Sequence, residues 1–423
     1  MFCAAPRSLR LLVATLAVGV LPALAPPVAG AAPVAGASPQ SGRSAQAPPC
    51  AAAAAPPAAV DTSEKPAPGQ SVPPPLPVPA QPVGGPLLGG CATILPPGAP
   101  PLPAGDTAAS WVVQNLDTGD VVAAKDPHAR ERPASLIKTL LALVVVTELK
   151  PDQIVVPTKE DAEQECTCVG ISAGAPYTVD QLLHGLLMHS GNDVAHAFAT
   201  ALGGVDVAVG KMNRLAARIG ATDTRAATPS GLDGPGMSTS AYDLSLIFHY
   251  AMKQQEFAQA VATKAYTIPA TGGKPPIPVF NDNKLLGSYP GFLGGKTGFT
   301  NDARHTYVGA AERDGHRLAV VMMRAEQRPT LVVAQAGHLL DYSFALVDAH
   351  APPVGRIAYE ALVATAPPGA PPLNVAPAAA AKPAPAKPDP FGTTGWILTL
   401  VVAVIIVVGF TLRHRLRRQR DAA

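Results

Sequence analysis

Charge is scarce in this 423-residue sequence. Charged residues are 15% of it and nearly cancel, 32 basic against 30 acidic, for a formal net charge of +2. No basic face is available for nucleic acid, so no nucleic-acid partner is expected. Cysteine is also rare: Cys3, Cys50, Cys91, Cys166 and Cys168. No histidine pair stands at finger spacing beside them, so neither a metal site nor any other cofactor is expected. What is abundant is proline, 48 residues. Its uneven spread indicates long non-globular segments around one core.

Taken in order, residues 1–31 read as a secretory signal. Arg7 and Arg10 precede an apolar core over 11–24, and Ala29-Gly30-Ala31 offers a small-x-small cleavage site. An uncleaved anchor is the alternative. Residues 32–105 are Ala, Pro and Gly with few charges, which points to a disordered spacer. Within it, Leu88-Gly89-Gly90-Cys91 looks like a lipoprotein box but lies too far from the N-terminus to end a signal peptide. Four cysteines remain after loss of Cys3, which in an exported chain favours at least one disulfide. Pairing Cys50 with Cys91 would close a loop in the spacer, whereas Cys166 and Cys168 are too close for an easy mutual bond, a pairing the sequence nonetheless leaves open.

Residues 106–350 carry the globular patterning, and 351–389 return to Pro and Ala. Residues 390–412 hold no charge and are long enough to span a bilayer, with Trp396 as an interfacial anchor. Arg413, Arg415, Arg417, Arg418 and Arg420 follow, so 413–423 is expected in the cytoplasm and the globular part outside the cell membrane.

Inside the globular part, 109–113 and 121–125 read as a hairpin turning at 116–120. Helical patterns follow over 135–149, 179–188, 193–202, 205–219 and 241–251. Strands are expected at 293–300, 304–311 and 317–324, with Asp314-Gly315 as a turn, and a last helix over 331–347. Strands at both ends around a helical middle imply an α+β fold. Its antiparallel sheet is flanked by helices and completed by a mostly helical subdomain.

Three short motifs occur in order: Ser135-Leu136-Ile137-Lys138, Ser190-Gly191-Asn192 and Lys296-Thr297-Gly298. The first puts a serine and a lysine one helical turn apart, as base-activated nucleophilic catalysis requires. A helix opening at Ser135 also aims unpaired N–H groups at a developing oxyanion. The second lies at a break between two helices and the third on a strand. Singly, each has a bland reading: a helix cap, a helix break, a strand end.

The ordered triple resembles low-molecular-mass penicillin-binding proteins, the serine-type D-alanyl-D-alanine carboxypeptidases of β-lactamase/transpeptidase-like fold. Ser230-Gly231-Leu232 and Thr239-Ser240-Ala241-Tyr242-Asp243 look like further stretches of that family. The resemblance implies Ser135 as nucleophile, Lys138 as general base and Ser190 as proton relay, with Asn192 holding the substrate amide or the Lys138 amine. It implies Lys296, Thr297 and Gly298 as the substrate-binding strand, and the N–H groups of Ser135 and Phe299 as the oxyanion hole. Peptidoglycan stem peptides ending in D-Ala-D-Ala would be the substrates, and β-lactams the inhibitors. Crowding by Lys296 and by the helix N-terminus is expected to lower the Lys138 pKa.

Two decoys are set aside. Gly170-Ile171-Ser172-Ala173-Gly174 matches a nucleophile elbow but lacks the strand before it, and His184, His189 and His196 lack i, i+4 spacing. The sequence departs from the resemblance at Ala303-Arg304, where a glycine is usual, and passes to linker and anchor where a second β-rich domain is common. Arg304 either adds a charge near the cleft or faces solvent, and solvent is the favoured reading. Two rivals remain, a β-lactamase and a non-catalytic cell-wall binding protein. The first lacks a suitable deacylating glutamate, since only Glu256 lies between Asn192 and Lys296; the intact Ser135/Lys138 pair speaks against the second.

Overall fold

The computed structural model describes residues 50–357 apart from Cys166. The signal peptide (1–31), spanning segment (390–412) and basic tail (413–423) expected from sequence lie outside the described residues, as does most of the 351–389 linker. Among the described residues no helix is long and apolar enough to cross a membrane.

In chain order the elements are β1 (Thr93–Ile94), β2 (Ser110–Asn115), β3 (Asp120–Lys125), α1 (Lys138–Glu148), β4 (Ile154–Val155), α2 (Lys159–Ala162), β5 (Tyr177–Thr178), α3 (Val179–Met188), α4 (Asn192–Ala201) and α5 (Val205–Ile219). They continue as α6 (Ala241–Ala251), α7 (Gln255–Ala262), β6 (Ala265–Ile268), β7 (Ile277–Phe280), β8 (Phe292–Thr300), β9 (Arg304–Arg313), β10 (His316–Ala325), α8 (Val332–Asp348) and β11 (Gly355–Arg356). The seven-stranded sheet runs β1-β3-β2-β10-β9-β8, with β11 also on β3, and every pairing is antiparallel. The N-terminal hairpin thus lies against β10, and the helices between form an insertion. The fold is α+β.

Strand periodicity sorts the core into two layers. Trp111, Val113, Leu318, Val320 and Met322 point to one face, where they meet Ala336, Leu340 and Phe344 of α8. Val112, Ala319, Val321 and Met323 point to the other, packed with the helical insertion. With both faces covered, the central strands read as continuous apolar runs rather than alternating ones. Helix α1 is the hub of the insertion, with residues 138–145 all buried. Around it α5 shows a one-sided stripe, Ala208, Met212, Leu215, Ala216 and Ile219, and ends on Gly220 at φ 87°. Capping boxes open α2 (Thr158, Asp161) and α3 (Thr178, Gln181).

Three expectations need correction. Ser135 does not open an α-helix: residues Ala134–Ile137 form a 3-10 turn, and α1 begins only at Lys138. Ala134 at φ 47° bends the chain into that turn. Residues 351–357 are not all linker either, since Val354 and Ile357 are buried and β11 pairs with β3. A two-residue strand is too short to show a period.

The largest difference concerns residues 50–105, expected as part of a disordered spacer. They form a strap laid along the domain. A Cys50–Cys91 disulfide staples it, and Leu88 is fully buried. Arg130 donates to the carbonyls of Ala54, Leu76 and Pro77, Arg225 to that of Pro74, and His128 Nε2 lies 3.0 Å from the carbonyl of Val83. The composition rule assumes that a segment must bury its own apolar surface to become ordered. An extended Pro-rich chain makes no internal hydrogen bonds, so its free carbonyls suit cations presented by a neighbouring surface.

Candidate active site

The site forms where three segments meet the start of α1. Lys138 is fully buried, and its Nζ lies 3.0 Å from Ser135 Oγ, 2.8 Å from Asn192 Oδ1 and 2.5 Å from the Ser230 carbonyl. Burial holds its pKa well below the usual lysine range, and the positive charge of Lys296 pushes it further down, against Asp193 and Asp282. Burial therefore outweighs the like-charge crowding anticipated from sequence. A neutral amine has two N–H groups and one lone pair. The two N–H groups match the Asn192 and Ser230 oxygens, which leaves the lone pair for the Ser135 hydroxyl.

Ser190 and Asn192 come from the break between α3 and α4. Ser190 adopts φ 64°, and its buried Oγ has no hydrogen-bond partner among the described residues. Strain and an orphaned hydroxyl at one residue mark a group held ready for something else. Asn192 is fixed by its side-chain N–H to the Glu165 carbonyl (2.6 Å) and its backbone N–H to the Thr167 carbonyl. Next to it, buried Asp193 accepts the N–H groups of Val169, Gly170 and Ile171. That anchors the Gly170–Gly174 stretch as a loop, not an elbow.

The opposite wall is edge strand β8. Lys296 is fully buried; burial lowers its pKa and Asp282, 3.9 Å away, opposes this. Its Nζ donates to the Thr297 carbonyl at 2.7 Å, and Thr297 Oγ1 donates to Asp282 at 2.9 Å. Gly298 touches the turn of Ser135: a Cβ built there would lie 2.9 Å from Ser135 N. Gly231 presses on the same turn from the other side at φ 86°, and a Cβ there would meet the Ala134 carbonyl oxygen at 2.0 Å. Thr306 Oγ1 on β9 ties down the turn by donating to the Pro133 carbonyl at 2.9 Å. Phe299 follows Gly298 with its ring half exposed against His305.

Of the eight residues singled out from sequence, Ser135, Lys138, Asn192 and Gly298 meet around one turn, and Lys296 is near enough for its charge to act on Lys138; Ser190 flanks Asn192 at the helix break, and Thr297 and Phe299 flank Gly298 on β8. Four contributors escaped that reading. Ser230 lies in a family-like stretch but acts through its backbone carbonyl, which no side-chain pattern reveals, and Thr306 acts through a hydrogen bond across the sheet. Asp282 sits in a loop, and Asp193 merely abuts a motif. Arg304 forms an exposed bidentate pair with Glu326 (2.9 Å each). His184 bonds the Asp180 carbonyl and stacks on Tyr266, whereas His196 pairs with Asp161. Among the described residues Glu64, Asp233 and Asp302 could hold a cation by spacing; Arg132, paired with Glu64, already supplies positive charge there.

A half-buried serine beside a fully buried lysine, facing an edge strand, is the arrangement of a serine hydrolase site. Comparison with known proteins narrows it. Residues 100–327 match the family model described as D-alanyl-D-alanine carboxypeptidase. The chain is 48% identical over 260 residues to D-alanyl-D-alanine carboxypeptidase DacB2 of Mycobacterium tuberculosis, covering 60% of this chain and 88% of that protein. It is 29% identical to DacF of Bacillus subtilis, of which it spans 64%. A solved D-alanyl-D-alanine carboxypeptidase from Mycobacterium tuberculosis superposes with a TM-score of 0.57 at 46% identity, over 60% of this chain and 96% of that one. A mutant of the Streptomyces K15 DD-transpeptidase gives 0.55 at 30% identity, over 58% and 100%. The chain belongs to the D-alanyl-D-alanine carboxypeptidase family, serine hydrolases of the low-molecular-mass penicillin-binding class.

Proposed function

We propose that this protein trims the terminal D-alanine from peptidoglycan stem pentapeptides, through an acyl-enzyme on Ser135. The observation that carries this reading is the buried Lys138 amine held between Ser135, Asn192 and Ser230. The neutral amine takes the Ser135 proton as Oγ attacks the carbonyl between the two D-alanines. The oxyanion is received by the N–H groups of Ser135 and Phe299. The C–N bond then breaks, and the departing amine takes a proton through the Ser190 hydroxyl. Water releases the acyl group and restores Ser135. Lys296 and Thr297 receive the terminal carboxylate, and Gly298 leaves room for the peptide to lie along β8.

Penicillins acylate Ser135 in the same way, and the adduct is long-lived. Glu256, the sole glutamate between Asn192 and Lys296, opens α7 near Val146 and Leu149. That is the far end of α1, about 16 Å of helix from Lys138 for its 11 residues. It is no candidate for activating a deacylating water. By its sequence the protein is exported and tethered through residues 390–412, with the domain outside the cell.

The test is product analysis on a disaccharide-pentapeptide, together with intact-mass measurement after benzylpenicillin. Free D-alanine with tetrapeptide, and a stoichiometric adduct lost in Ser135→Ala, are the expected results. D-alanine release by Ser135→Ala, or rapid penicillin turnover by the native chain, would overturn the proposal.

A further inference from the structure

The strap reaches the cleft as well as the back of the domain. Asp302, in the turn after β8, accepts the N–H of Val60 and the hydroxyl of Ser63. Glu64 forms a two-pronged ion pair with buried Arg132, three residues before the nucleophile. Asp233, two residues beyond Gly231, completes the group: carboxylate oxygens of Glu64, Asp233 and Asp302 all lie within 4.8 Å of one another. Strap, loop and strand turn, three separate stretches of chain, therefore converge just beyond Thr300.

Direction along β8 gives this convergence its meaning. If the terminal carboxylate lies at Lys296 and Thr297 and the scissile carbonyl at Ser135, opposite Gly298, the rest of the peptide must continue past Phe299 and Thr300. A strand advances about 3.3 Å per residue, so the residue before the D-alanines arrives where the strap stands. Resting on the carboxypeptidase reading above, we infer that strap residues Val60 to Glu64 wall the subsite for the stem peptide upstream of D-Ala-D-Ala, and so determine specificity for long substrates over short ones. The wall is held in place independently of substrate. Behind it, Arg130 engages three strap carbonyls and Cys50–Cys91 closes the segment.

Two variants of the full chain test this: Glu64→Ala, which frees the strap from Arg132, and Val60→Lys, at a side chain that is 67% exposed and so tolerant of change. The readout is the ratio of kcat/KM for a stem pentapeptide to that for an N-acylated D-Ala-D-Ala dipeptide, with penicillin acylation measured in parallel. A fall of about tenfold in that ratio, carried by KM, is the expected result for one lost contact region. A ratio within about twofold of the native value in both variants would overturn the inference, because a merely structural strap would alter both substrates together. Failure of the native chain to be acylated at Ser135 would instead strike the carboxypeptidase reading. The two failures are thus distinguishable.

Discussion

Gly298→Ala probes the closest approach in the site. The added methyl would lie 2.4 Å from Thr306 Oγ1, 2.9 Å from Ser135 N and 3.1 Å from Ala134 Cβ. Such pairs prefer about 3.5 Å or more, so β8 and the serine turn must part by about 0.5 Å even if Thr306 swings aside. If it does, it gives up its bond to Pro133. Overpacking of this kind costs about 1–3 kcal/mol of stability. The proposed oxyanion hole has one donor on each side of the gap, Ser135 on the turn and Phe299 on the strand. A displacement of 1 Å can cost about a hundredfold in rate, so acylation should slow by about ten- to a hundredfold. Ser135 and Lys138 ride on the same turn and keep their 3.0 Å contact, so the pH dependence of acylation should not move. Stopped-flow acylation with a fluorescent penicillin across pH, alongside a thermal melt, measures all three quantities. Acylation within about twofold of native, with an unchanged melt, would refute the reasoning from contact geometry.

Other outcomes follow from the same structure. Asp282 favours the charged form of both Lys138 and Lys296; Asp282→Asn should therefore lower both and move the acid limb of the acylation profile to lower pH, and a limb that moves upward contradicts this. Removing the Cys50–Cys91 bridge by a double alanine substitution opens a loop of 41-residue separation and should cost about 4 kcal/mol by chain entropy, read as a lower melting temperature; an unchanged melt refutes it. Stability should fall as pH rises from about 4.5 to 8, the span between ordinary carboxylate pKa values and the shifted ones, with buried His249, lowered to about 3, offsetting part of the fall below its unfolded value of about 6.5. Burial pushes Asp233 up to about 6, Glu131 to about 7 and Asp243 to about 8, so the folded state holds protons that the unfolded chain has released. His128 adds to this trend: burial lowers its pKa, but its hydrogen bond and charge interaction with Asp223 raise it overall. Its stabilisation is complete below its unfolded value and lost above its folded one. His128→Gln should flatten the upper part of the curve, and a melting temperature that rises through this range in the native chain would contradict the assignment.

The long elements were legible because burial imposes a period on them. Helices α3, α5 and α6 coincide with their sequence patterns, and β8 to β10 differ at the ends alone. The motif residues were legible because their chemistry is tied to spacing. What stayed hidden acts through backbone atoms or through partners distant in sequence. The Ser230 carbonyl and the Thr306 hydroxyl carry no pattern, and the 3-10 turn at Ser135 depends on Ala134 being bent by Gly231 and Gly298. Hairpin β6–β7 and strands β4 and β5 are too short for alternation to register. The strap was missed for a different reason. Its order derives from Arg130, Arg132, Arg225 and His128, residues that look like ordinary surface charge until the chain they hold is in place.

One feature of the sheet bears on access to strand β8. The described chain leaves at β11, which with β1 borders the outer side of β3, whereas strand β8 is the other edge. Four interstrand steps of about 4.8 Å separate β3 from β8, or about 19 Å. Whatever holds the protein by its later residues therefore pulls on the edge remote from the cleft. Load is borne by β11, β3 and the strap carbonyl of Gly84 that accepts from Arg356, and not by β8. If residues 390–412 anchor the chain as proposed, a bulky substrate can come alongside β8 without passing the point of attachment, and tension on the anchor does not run through the gap between Ser135 and Gly298.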